Sequence, residues 1–103
     1  MDRSNTVVLI ATEHTQDALG IWQETTTERE VFCSVDSVTR SEFFEAGRSG
    51  LNPEFRVTMF LYDYNGERIL RFEGQTYSVY RTYHSRNDTI ELYVERKAGT
   101  NGG

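Results

Sequence analysis

Between residues 31 and 60 the hydrophobic period of this chain changes twice, and few folds accommodate that. Val31, Cys33 and Val35 alternate with Phe32, Ser34 and Asp36, the period of two required of a strand that buries one face. Thr39-Arg40-Ser41-Glu42 then fits a capping box, in which the threonine hydroxyl accepts from the first free N–H groups and the glutamate reaches back to the cap's own N–H. Phe43, Phe44 and Ala46 complete a short helix. Gly47 and Gly50 can take the left-handed conformation that ends it, and Pro53 forbids its continuation. From Glu54 the alternation returns, with Phe55, Val57, Met59 and Leu61 on one side. A strand, a short helix and a strand therefore form the unit around which the rest must be arranged.

The flanking sequence is β-prone throughout. Val7-Val8-Leu9-Ile10-Ala11 reads as a buried strand running on to His14, and the turn chemistry of residues 16–20 returns it through Ile21-Trp22-Gln23-Glu24 as a hairpin. Residues 25–30 are polar, a loop or an exposed edge strand. Asp63-Tyr64-Asn65-Gly66-Glu67 carries Asn-Gly, a strong hairpin signal, and is expected to join the strand from Phe55 to one over 68–72. Glu73-Gly74-Gln75 is a second tight turn. Residues 76–83 alternate with Tyr77, Val79, Arg81 and Tyr83 on one face. After a polar loop at 84–88, Ile90, Leu92 and Val94 oppose Glu91, Tyr93 and Glu95 in a last strand, half solvated.

Six or seven short strands with tight turns and one inserted helix predict a mainly β fold, a small antiparallel β-barrel of SH3-like size rather than an immunoglobulin sandwich. At 103 residues the chain reads as one domain. The barrel is expected over 7–95, between flexible tails at 1–6 and 96–103. An aromatic share of 13% against an apolar share of 37% suits such a fold, because aromatic side chains pack well on a pleated, half-buried surface.

Charge and cysteine content narrow the function. With 16 acidic and 11 basic residues the net charge is -5, whereas a domain that grips nucleic acid by neutralising phosphates carries a basic face. The single cysteine, Cys33, excludes an intrachain disulfide and a thiolate zinc cluster, and points to a reducing compartment. The longest apolar run, residues 7–11, is too short to span a membrane, so a soluble protein is expected.

No residue constellation argues for catalysis, a metal or a cofactor, and a non-enzyme is expected. His14 and His84 fall in or beside predicted loops without ligand spacing. The Asp63-Asn65-Gly66 opening of a calcium loop lacks its twelfth-position glutamate, since Gly74 stands there. Asp88, Glu91 and Glu95 are most simply a solvated face. Tyr77, Tyr80, Arg81, Tyr83 and Arg86 could stack single-stranded bases, though the simpler reading is tyrosines packing a barrel with hydroxyls at its rim. Phe43 and Phe44, about 100° apart on a helix, cannot both enter the core. An exposed aromatic beside Arg48, Leu51 and Pro53 has the composition of a protein contact.

The order and spacing of several segments are also familiar. Val31-Phe32-Cys33-Ser34-Val35, Ser41-Glu42-Phe43-Phe44-Glu45-Ala46-Gly47, Gly50-Leu51, Pro53-Glu54 and Asp63-Tyr64-Asn65-Gly66-Glu67, followed by Tyr77-Ser78-Val79-Tyr80-Arg81-Thr82-Tyr83 and Ile90-Glu91-Leu92-Tyr93, resemble the phage head-tail adaptor (head closure, or stopper) family over about residues 7–97. The resemblance implies a small β-barrel in tailed-phage or prophage virions, assembled in the host cytoplasm as a homo-oligomeric ring. The ring would lie below the portal and its adaptor, close the DNA-filled head and dock the tail, with double-stranded DNA crossing its channel without sequence-specific binding and no membrane involved. It also implies an inter-strand segment that can approach the ring axis, here residues 40–54. The candidate subunit or partner contacts are accordingly Arg40, Phe43, Phe44, Arg48, Leu51, Pro53 and Glu54. The alternative is a monomeric barrel binding single-stranded nucleic acid around Tyr80, Arg81 and Tyr83.

Overall fold

The structure, a computed structural model, describes residues 4–96. Chain order is β1 (Asn5–Gln16), β2 (Trp22–Asp36), α1 (Arg40–Arg48), β3 (Pro53–Phe60), a 3-10 turn (Leu61–Asp63), β4 (Ile69–Phe72), β5 (Gln75–Ser85) and β6 (Thr89–Arg96). The strands close into a six-stranded antiparallel barrel in the order β1-β2-β3-β6-β5-β4, sealed by β1 against β4 through Val8↔Arg71 and Ile10↔Ile69. Closure leaves no free sheet edge within the wall. Asn5 and Thr6, expected in a tail, already pair with Cys33 and Phe32. Of the two expected tails, 1–3 and 97–103 lie outside the described residues.

The interior follows directly from the alternation. Val7 and Leu9 of β1, Val31 and Cys33 of β2, Val57 and Met59 of β3, Leu70 of β4, Tyr77 and Val79 of β5, and Ile90, Leu92 and Val94 of β6 form one buried cluster. Phe55 packs edge-on against Tyr77 and Phe72, with ring centres 4.6 and 5.6 Å apart, in the tilted arrangement favoured by aromatic pairs. Cys33 is fully buried, and burial pushes its thiol up to about 11. It behaves as a small apolar residue.

The structure departs from the sequence reading at four places. First, residues 22–36 are one strand of 15 residues, so of the two readings open for 25–30 the exposed strand holds and the loop does not. Its first half pairs with β1 from Ala11↔Thr27 to Gln16↔Trp22 and projects as a two-stranded arm whose residues 12–16 and 22–27 are all exposed. Threonine pairs such as Thr12↔Thr26 hold it. Apolar alternation is absent there because neither face is buried. Second, Asn65-Gly66 does not join paired strands: β3 lies between β2 and β6, and β4 between β1 and β5. The segment instead crosses an end of the barrel, pinned by buried Glu67. Third, β5 bulges at Tyr80, since Val79 pairs with Val94 but Arg81 with Tyr93. The extra residue breaks the face shared by Tyr77 and Val79 and turns Arg81 and Tyr83 outward. Fourth, His84, expected to open the polar loop, lies within β5, whereas His14 lies on β1 where that strand was expected to run; both are exposed.

Candidate interaction surface

Helix α1 rides outside the barrel, and the wall beneath it explains its position. Thr39 caps it as expected, its hydroxyl accepting from the Glu42 N–H at 3.1 Å. The glutamate half of the capping box fails, however. Glu42 reaches across to β5, accepting from the Tyr80 hydroxyl at 2.7 Å through one oxygen and from the Arg81 guanidinium through the other. A charge-assisted pair shared with a buried-side phenol outcompetes one exposed backbone N–H. The Arg81 guanidinium lies 4.1 Å from the centre of the Tyr93 ring, and the Tyr93 hydroxyl donates to Glu91 at 2.8 Å. That cover buries Tyr93, which the alternation had assigned to the solvated face. Burial, the hydrogen bond to Glu42 and its charge push the Tyr80 phenol above its ordinary range. It therefore remains a donor at neutral pH.

The C-terminal end is fixed by a Schellman motif. The Leu51 N–H donates to the Ala46 carbonyl and the Gly50 N–H to the Gly47 carbonyl, each at 3.0 Å. Gly50 sits at φ +83, where a side chain would be strained. Gly47, the other expected terminator, is within the helix. The motif folds Leu51 back toward Ala46, the one buried residue of α1. Together with the Tyr80 ring these line a groove of about 420 Å³ between α1 and β5, with Glu42, Glu45, Ser49 and Arg81 at its margins.

The candidate contacts sort clearly on this framework. Phe43 and Phe44 stand 51% and 58% exposed, stacked edge-on with ring centres 5.8 Å apart. Arg40, Arg48 and Glu54 are exposed, Arg48 pairing with Glu45 at 3.3 Å, and Leu51 is half-buried. Pro53 differs: it is buried at the start of β3, opposite Glu95, and its surface is already covered within the chain. Six of the seven residues are thus at least partly accessible. The stacking series is less open, because Tyr77 is buried and Tyr80 and Arg81 are engaged with Glu42, leaving Tyr83 and Arg86 exposed.

Sequence reasoning missed a second apolar surface. At the arm tip Leu19, Ile21 and Trp22 are 84%, 57% and 66% exposed. Asp17 builds this turn, its carboxylate accepting from the Leu19 and Ile21 N–H groups at 2.9 Å and from the Gln23 amide at 3.1 Å. The readable signal was three large apolar residues around an Asp-x-x-Gly turn. Among the described residues no cluster of His, Cys, Asp and Glu could hold a metal ion, and no helix is long and apolar enough to cross a membrane.

Loss of the cap has a defined expected cost. Thr39→Ala should lower the unfolding free energy by about 1 kcal/mol, read as a lower urea midpoint at unchanged slope. Thr39→Asn should restore it.

No family model matches this chain, and no curated protein matches it. The chain is similar in structure to protein SF1141 from Shigella flexneri 2a, known from its solution structure. The TM-score is 0.74 at 15% sequence identity, over 92% of this chain and 93% of the other. At that identity the likeness establishes the shared barrel fold.

Proposed function

We propose that this chain is a structural subunit of the head-tail interface of a tailed phage or prophage. It assembles as a homo-oligomeric ring below the portal and its adaptor, closes the DNA-filled head and presents a docking surface to the tail. The observation that carries the reading is the clamped helix: Phe43 and Phe44 are held outward on a rigid support while the barrel completes its core without them. Exposed aromatics on a fixed scaffold are the usual anchors of a protein contact. The small closed barrel agrees with what the sequence resemblance implies. A net charge of -5 suits a channel wall that double-stranded DNA passes without adhering. The protein then resides in the virion at the head-tail junction, after assembly in the host cytoplasm.

Complementation of a phage lacking this gene tests the reading. Phe43→Ala should leave the urea midpoint unchanged and reduce infectious yield at least about tenfold, the effect of losing one modest anchor per contact. Filled heads without tails should accumulate. Wild-type yield from the Phe43→Ala, Phe44→Ala double variant would overturn the assignment.

A further inference from the structure

We infer that Asn65 is a site of self-modification: the Gly66 amide closes on the Asn65 side chain, and the chain there converts with age to aspartyl and isoaspartyl forms. Only the crossover between β3 and β4 is needed for this, not the head-tail reading. Asparagine followed by glycine is the pairing in which the next amide nitrogen meets least obstruction, since glycine carries no side chain. In a hairpin turn the flanking ladder would hold that amide in place. Here residues 64–67 belong to no strand. The Gly66 N–H and the Asn65 side-chain amide have no hydrogen-bond partner among the described residues, and both residues are exposed. Open space surrounds Gly66 where a side chain would stand. Gly66 also lines two clefts, one of about 380 Å³ with Tyr64 and Tyr80 and another of about 280 Å³ with Ile10 and Thr12, so water reaches the peptide.

The reaction consumes only water. The Gly66 nitrogen, giving up its proton, bonds to the Asn65 Cγ; the Cγ–Nδ2 bond breaks and the side-chain nitrogen leaves as ammonia. Water then opens the cyclic imide. Attack at Cγ returns the ordinary main chain with an aspartate, whereas attack at the main-chain carbonyl leaves the chain running through Cβ and Cγ as isoaspartate. The second product changes the fold. The Asn65 N–H donates to Glu67 Oε1 at 2.9 Å, and Glu67 is buried against Arg29 of β2. An extra methylene between residues 65 and 67 lengthens the loop that this bond closes. The isoaspartyl form therefore gives up the bond, and with it part of the pin that ties the crossover to β2.

Ageing the full-length protein at mildly alkaline pH and following its tryptic peptides by mass tests this. Peptide 57–68 holds Asn65 and no other asparagine or glutamine, and Asn101-Gly102, outside the described residues, falls in a separate peptide. Peptide 57–68 should gain about 1 Da at least about tenfold faster than 87–96, where the Asp88 side chain obstructs attack on Asn87. Peptide 49–56 should not convert by this route, because Pro53 follows Asn52 and has no N–H. A methyltransferase specific for isoaspartyl carboxylates should label 57–68. The converted protein, separated by ion exchange on its added negative charge, should lose about tenfold in its folding equilibrium constant, read from the urea midpoint. Asn65→Gln, which keeps the main-chain bond to Glu67, should hold its midpoint through the same ageing, and Asn65→Asp, with the charge but the ordinary chain, should lose less than the converted protein. Conversion of 57–68 no faster than that of 87–96 would overturn the site. An unchanged midpoint after conversion, or an equal loss in Asn65→Asp, would overturn the main-chain effect on the crossover.

Discussion

Leu92→Ala is expected to lower the unfolding free energy by about 4 kcal/mol, within the range for a fully buried leucine whose cavity cannot collapse. Leu92 is fully buried on β6, paired with Val57 of β3 on one side and Thr82 of β5 on the other. In an open sheet a neighbouring strand could move inward to fill the space. Here each wall strand is hydrogen-bonded on both sides, so inward movement would break ladder bonds elsewhere and the void persists. A domain of this size holds about 5–15 kcal/mol in total, so the variant should melt roughly 20 °C lower yet still fold cooperatively at low temperature. Leu92→Ile, which conserves volume, should cost less than about 1.5 kcal/mol. Equal loss for both substitutions would mean that strand pairing, not core volume, limits stability.

What the sequence made legible is what one-sided burial imprints. Val31 and Cys33, Val57 and Met59, and Ile90, Leu92 and Val94 alternate because the barrel has an inside, and the Glu73-Gly74 turn is marked by its glycine at φ 79°, although Glu73 beside it also takes a positive φ, 51°. The arm has no inside, so its threonines and glutamates carry no periodic signal, and residues 25–30 of a 15-residue strand read equally as loop or exposed strand. The Tyr80 bulge was hidden for a different reason. Nothing in Tyr77 to Tyr83 states that an extra residue faces Tyr93; the pairing is decided by β6 and by Glu42 reaching from α1. Phe43 and Phe44 were legible as surplus to the core, but the groove beside them was not. It depends on Leu51 folding back to Ala46 and on Tyr80 arriving from a distant part of the chain.

Arg29→Ala is expected to cost about 3 kcal/mol at neutral pH, the low end for stranding one member of a largely buried ion pair, since Arg29 itself is partly open to solvent. Glu67 is 6% exposed. One of its oxygens accepts from the Arg29 guanidinium at 2.8 and 3.2 Å, the other from the Asn65 N–H at 2.9 Å, while Arg29 also donates to the Asp63 carbonyl at 2.7 Å. These bonds tie the crossover between β3 and β4 to β2. Burial alone would raise the Glu67 carboxyl, but the hydrogen bonds from Arg29 and Asn65, with the Arg29 charge, outweigh it and hold the group below the usual carboxylate range. A depressed folded value contributes stability that is complete above the unfolded value, about 4.3, and is lost as pH falls through the folded value. The wild-type protein should therefore lose this contribution only on acidification below about pH 4. In Arg29→Ala burial is opposed by the Asn65 N–H without the help of Arg29, so the carboxyl is held down less and the variant loses less stability than wild type as the pH drops. Urea midpoints for the two proteins should be far apart at pH 7 and converge toward pH 3. A separation independent of pH would mean that Arg29 acts through its packing and its bond to Asp63, not through the Glu67 charge.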